Sequence, residues 1–242
     1  MPFTLAHPAI VLPLRNCRFK FSLTGLILGS IIPDFEFFIQ MREVENIGHH
    51  AYGILLFDLP MAVIMSYLFH NVLRNTLIAN LPWIYKSRFI EFQHLNWNTY
   101  ARNNKIILVG SILIGVLSHQ GWDAFTHHDG LAVQLLPALS SELQILNTSV
   151  PVYYALQILF SLIGLATVQL QVMQLPMAVK SSTARVDYRY WVTFGIIFFA
   201  IVSLRLVAWP QFNSTGGIAI AIMGALLYSW FPATLFFKSL KY

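Results

Sequence analysis

Residues 152–173, VYYALQILFSLIGLATVQLQVM, run from end to end without a charged side chain. A helix of about 20 such residues crosses the hydrocarbon of a bilayer, because it satisfies every backbone polar group within itself. Tyr190–Trp209 and Gly217–Phe237 read the same way. Towards the N-terminus, Leu23–Ile39, Ala51–Leu73 and Ile106–Trp122 are also long and apolar, but polar residues interrupt them. The pattern predicts an all-α, polytopic helical membrane protein with about six transmembrane or re-entrant helices.

Composition agrees. The chain is 57% hydrophobic and 10% charged, with a mean hydropathy of +0.63. A soluble domain carries about 25% charged residues, so too few are present here to cover a soluble surface. Residues 1–242 read as a single integral membrane domain, with a motif-bearing half at 1–140 and three plain helices in 141–242. Met1–Leu14 lacks the basic start and the cleavage site of a secretory signal, and is expected to be retained. Cys17 is the sole cysteine, which excludes an intrachain disulfide and a thiolate metal site.

Basic residues alternate from loop to loop. Arg15, Arg18 and Lys20 precede the first span; Arg74, Lys86, Arg88, Arg102 and Lys105 lie between the second and third. Lys180, Arg185 and Arg189 separate the fourth and fifth, and Lys238 and Lys241 follow the last. Asp123–Pro151 and Pro210–Gly216 hold neither Lys nor Arg. The positive-inside rule makes the basic loops cytoplasmic. Arg42 alone opposes it, beside Glu43 and Glu45. The loop 75–105 interleaves aromatic and basic residues and reads as an interfacial amphipathic segment, with no nucleic-acid partner expected.

The ionisable residues gather at one level. His119, Asp123 and His127 fall at i, i+4 and i+8 in SHQGWDAFTHHDG. Residues four apart are neighbours on a helix face, so His119 and Asp123 can hold one metal ion together. His127 lies roughly 12 Å along the axis from His119, so it reads as a separate ligand or a supporting group. Asp34 follows Pro33 near the outer end of the first span, and His50 opens the second span on the same side. A short helix after Pro8 and a turn at Arg15–Lys20 would return the chain and set His7 beside Asp34. Ionisable residues inside membrane spans are rare and mark functional sites. His and carboxylate donors without thiolate suit a divalent metal such as zinc, manganese or iron. Glu36 is a candidate general base. His49, His70, His94 and His128 read as polar groups at the interface. Asp58 could face the cavity of His50, and Arg205 reads as snorkelling to the headgroups or, less favourably, holding an anionic group.

Four ordered motifs, MPFTLAHPAIVLPL, GSIIPDFEFF, HAYGILLFDLP and SHQGWDAFTHHDG, cover about the first 140 residues. Together they resemble domain-of-unknown-function family 4184, a group of bacterial membrane proteins. More distantly, the order His, Pro-Asp, His, His-x3-Asp is similar to membrane-bound metal-dependent hydrolases and to zinc-dependent phospholipase C. That likeness implies His7, Asp34, His50, His119 and Asp123 as ligands, with His127 a further candidate. Ala124-Phe125-Thr126 precedes His127 and His128 follows it, so which imidazole serves stays open. The likeness also implies a bacterial inner membrane, and the orientation set by the basic loops puts the site near its non-cytoplasmic face. The expected activity is hydrolysis of a lipid-linked or membrane-proximal phosphoester, with membrane lipid as the partner and Asp34 and Glu36 as catalytic candidates. A non-catalytic scaffold and a metal or proton transporter are the competing readings. Oligomeric state is not set by the sequence.

Overall fold

The structure is a computed structural model that describes residues 3–43, 47–145, 148–178 and 186–239. Among the described residues, six helices are long and apolar enough to cross a membrane: Leu23–Gln40, Ile54–Asn80, Lys105–Asp123, Val152–Met173, Tyr188–Ala208 and Thr215–Lys238. The chain is thus a polytopic helical membrane protein. Among the described residues the strands are confined to one antiparallel hairpin, Glu142–Ile145 with Thr148–Pro151. Glu45, Lys180, Arg185 and Lys241 lie outside the described residues.

The polar interruptions bend the helical ladder locally. The first span is α-helical over Leu23–Ile31, tightens to a 3-10 turn at Ile32–Asp34, and resumes over Phe35–Gln40. Pro33 has no N–H to donate and crowds the preceding turn, which explains the change. The second span contains two π-helical turns, Ile54–Asp58 and Phe69–Leu73. It then continues to Asn80, so Arg74 lies in the helix and not in the loop expected from the sequence. Each π turn inserts a residue and shifts the helix face. Asp58 and His70, one in each turn, are buried.

Contacts divide the chain into two units. The first comprises residues 1–33, 48–63 and 104–172. Within it Leu23–Ile31 lies tightly on the third span. A Cβ on Gly115 would fall 2.5 Å from the Leu26 carbonyl oxygen and 2.7 Å from the Ser30 nitrogen. Helices in lipid associate through such small residues, because water does not drive them together. Serines align the pair. The Ser22 hydroxyl accepts from the Gly25 N–H (3.2 Å), and the Ser22 N–H donates to Ser111 Oγ (2.8 Å). An arm of short turns precedes them: Thr4–Ala6, Pro8–Val11 and Leu12–Asn16. Its Phe3 N–H donates to Ser161 Oγ (2.8 Å) on the fourth span. Ala6 lies against Gly164, where an added Cβ would sit 2.7 Å from the Ala6 Cβ. These contacts fix the position of His7.

The second unit comprises residues 34–47, 64–103 and 173–242. Arg205 neither snorkels nor awaits an anion. It is 2% exposed and donates to the carbonyls of Met41 (2.8 Å) and Phe212 (3.1 Å) and to Asn213 Oδ1. Met41 adopts a left-handed φ of 52°, and Arg205 pins that turn. His70 is not interfacial either. Its ring stacks 4.1 Å from Trp97, and its Nδ1 meets Arg74 Nη1 at 3.1 Å. Arg74 also donates to the carbonyls of Leu95 and Gln93, tying the segment after Asn80 to the second span. That segment therefore has an exposed Trp83 but a buried Trp97.

Candidate metal centre

Asp123 closes the third span with its carboxylate buried. Helical spacing brings two imidazoles to it from opposite directions. His119 Nε2 lies 3.1 Å from Oδ2, and His127 Nδ1 lies 3.5 Å from Oδ1. The two rings need not meet, because each is four residues from the aspartate between them. Beyond Asp123 the helix tightens: Phe125 donates to Trp122 and Thr126 to Asp123 before Gly130 turns the chain. His127 is held there by its Nδ1, which also meets the Asp123 carbonyl at 3.2 Å. Burial lowers the pKa of His127.

Two further imidazoles reach the same carboxylate from distant parts of the unit. His7 Nε2 lies 3.6 Å from Oδ1, and its ring stacks on His119 with centroids 4.0 Å apart. His49 Nε2 lies 3.4 Å from Oδ2. His119 and His7 are fully enclosed, whereas the His49 and His127 side chains are 29% and 23% exposed. His49 and His127 are therefore the members of the cluster that reach its surface.

His119 shows what the centre requires. Its Nδ1 lies 2.8 Å from the carbonyl oxygen of Ser30, which can only accept. Nδ1 therefore carries the proton, and in the neutral ring Nε2 presents a lone pair. That lone pair points at a carboxylate oxygen 3.1 Å away. Two acceptors at that distance need a cation between them, either a proton on Nε2 or a metal ion. A carbonyl fixing the far nitrogen is also the usual support of a metal-bound histidine. His49, His119 and Asp123 offer ligand atoms within 4.8 Å of one another, so the donor set fits a divalent metal.

The chain matches, over residues 1–233, the family described as Domain of unknown function (DUF4184). It belongs to that family. The match reaches from the N-terminal arm into the sixth span, beyond the four motifs that first suggested it. No curated protein and no solved structure matches the chain.

The remaining sequence candidates fall as follows. His50 was the expected ligand in GHHAYG, but the ring at Asp123 belongs to His49; His50 is exposed and stacks on Tyr52 at 5.3 Å. Both residues precede the helix that starts after Gly53, so no helical period could choose between them. His127, and not His128, faces Asp123; His128 lies 6.5 Å from the Tyr153 ring. Asp34 is fully buried and ends the 3-10 turn Ile32–Asp34. Glu36, expected as a base, is engaged within the second unit: Oε2 accepts from the Ile47 N–H (2.7 Å) and Oε1 from the Gln40 amide (3.4 Å). Asp58 is fully buried in its π turn.

Proposed function

We propose that the protein is a metal-dependent hydrolase acting on a phosphoester at the membrane. His49, His119 and Asp123 hold a divalent ion. The observation that carries this reading is the His119 ring, whose Nε2 faces a carboxylate because its Nδ1 proton is already given to Ser30. A proton alone would relieve that one pair, yet His7 and His49 converge on the same carboxylate. Zinc is the first candidate among the ions that His and carboxylate donors suit. Such an ion lowers the pKa of a coordinated water towards about 7 and offsets charge on phosphoryl oxygens.

The protein's own groups supply the rest. A substrate reaches the ion past His49 and His127, the partly exposed imidazoles of the cluster. His127 holds Nδ1 against Asp123, which leaves its other nitrogen to receive a proton from water. His7 stacks on His119 and excludes solvent from its inner face. In the reaction the water oxygen bonds to phosphorus as the ester P–O bond breaks. One water hydrogen stays on the new P–OH, and the other reaches the leaving alcohol oxygen.

Elemental analysis of detergent-purified protein tests the reading. The wild type, reloaded with zinc, is expected to retain at least one equivalent, and His119→Ala/Asp123→Ala to lose it. A folded wild type that holds no metal would leave the scaffold reading in its place. Uptake of zinc into proteoliposomes without phosphoester cleavage would favour the transporter.

We also infer a bacterial inner membrane with the centre on the non-cytoplasmic side. The family resemblance supports the first, and the basic loops at Arg15–Lys20 and Lys86–Lys105 support the second.

A further inference from the structure

A groove of about 340 Å³ lies on the first unit, lined by Ile10, Ser118, Gly121, Trp122, Phe125 and Phe160. That volume is within the range of small-molecule sites, about 300–1,000 Å³. Its lining is apolar apart from the Ser118 hydroxyl and the Trp122 indole N–H, and the hydroxyl is engaged, donating to the Gly115 carbonyl (2.7 Å). The groove is open along one side, where Ile10 and Phe125 are exposed.

We infer that this groove holds an acyl chain of the substrate whose head group the metal centre takes. The inference rests on the hydrolase reading and names its substrate class, a lipid-linked phosphoester. Helix geometry makes groove and centre adjacent. Ser118, Gly121 and Trp122 follow i, i+3 and i+4 along one stripe of the third span, and Phe125 continues it in the turn just beyond Asp123. His119 and Asp123 form the neighbouring stripe, each one residue further on. The same pairing recurs on the N-terminal arm, where His7 reaches Asp123 and Ile10, three residues later, lines the groove. Trp122 is the shared wall. Its ring lies 5.2 Å from that of His7 on the centre's side and 5.7 Å from Phe160 on the groove's side. An occupant must suit two conditions: it is wholly apolar along the groove, and it surrounds a helix long and apolar enough to cross a membrane. An acyl chain meets both, and its ester-linked phosphate then emerges at the level of Asp123.

Gly121 provides the test, since a Cβ there meets nothing within 4 Å and the groove can be filled without disturbing the fold. A photoreactive palmitoyl phosphatidic acid in mixed micelles is the probe, with zinc content measured on each preparation as the check on folding. Wild-type protein is expected to be labelled at residues 118–125 and near Phe160, and Gly121→Phe to lose roughly tenfold of that labelling with zinc retained. Gly121→Leu, a smaller filler, is expected to lose less. Equal labelling in Gly121→Phe, or labelling spread evenly over lipid-facing residues such as Leu162, would overturn the inference and leave bulk lipid as the only occupant. Hydrolysis is scored separately with a water-soluble phosphodiester. Cleavage of that compound by wild type, with the lipid label lost in Gly121→Phe, supports the groove as the substrate's acyl site. Loss of label without cleavage of either phosphoester supports a lipid groove and removes the hydrolase reading.

Discussion

Asp123 has two oxygens; the helix brings His119 to one from four residues before, and the turn that follows brings His127 to the other from four residues after. The pairing with His119 was legible from the sequence, because i, i+4 spacing within one helix is a local property; that of His127 was not, since it lies beyond the helix end. The third and fourth imidazoles were not equally legible. His7 was reachable only by supposing a hairpin, and His49 was passed over for its neighbour. A direct comparison follows. His49→Ala is expected to weaken zinc binding by at least about tenfold, whereas His50→Ala leaves it unchanged, as read by competition with a chromophoric chelator. The reverse order would remove His49 from the centre. Arg205 poses a separate residue-level question, because its charge suggested a ligand or a headgroup contact while its hydrogen bonds are structural. Arg205→Met is expected to lower the stability of the detergent-solubilised protein by about 1–3 kcal/mol for each buried carbonyl left without a donor. Thermal unfolding measures this, and zinc content should not change.

At the scale of elements, the metal centre depends on how closely Leu23–Ile31 approaches the third span. The Ser30 carbonyl that orients His119 is available only because Gly115 has no side chain to hold the helices apart. Gly115→Leu is expected to lower the melting temperature and to cost zinc affinity as well, although residue 115 touches no ligand. Gly110→Leu on the same helix has open space and is the control, with neither quantity altered. If both substitutions behaved alike, the close approach would not be what positions His119. The sequence showed these glycines as ordinary members of an apolar run. Their role appears only when the partner helix is in place, since a clash is a property of two surfaces. The π turns of the second span were hidden for a related reason. They conserve the apolar character of the segment while shifting its face, so hydropathy alone does not register them.

For the whole molecule, the question is which side of the membrane the centre serves. Cys17 is the natural reporter for one side, being exposed and the only cysteine. Glu142, in the hairpin between the third and fourth spans, reports on the other. With the basic loops inside, a membrane-impermeant maleimide is expected to label Cys17→Ser/Glu142→Cys in intact cells and wild-type Cys17 only after permeabilisation. The opposite result would place the centre against the cytoplasm and require a cytoplasmic substrate.

All six spans were determined by the sequence alone, within a few residues at most ends, because a bilayer demands length and apolarity of each helix separately. The pairing of His119 with Asp123 was determined likewise, since one helical turn contains it. Tertiary structure decided the rest: His49 over His50, His127 over His128, the enclosure of Arg205, and the groove beside Trp122. Each of these depends on where a turn or a second helix lies in space. A linear pattern carries the period of one element, but not the distance between two.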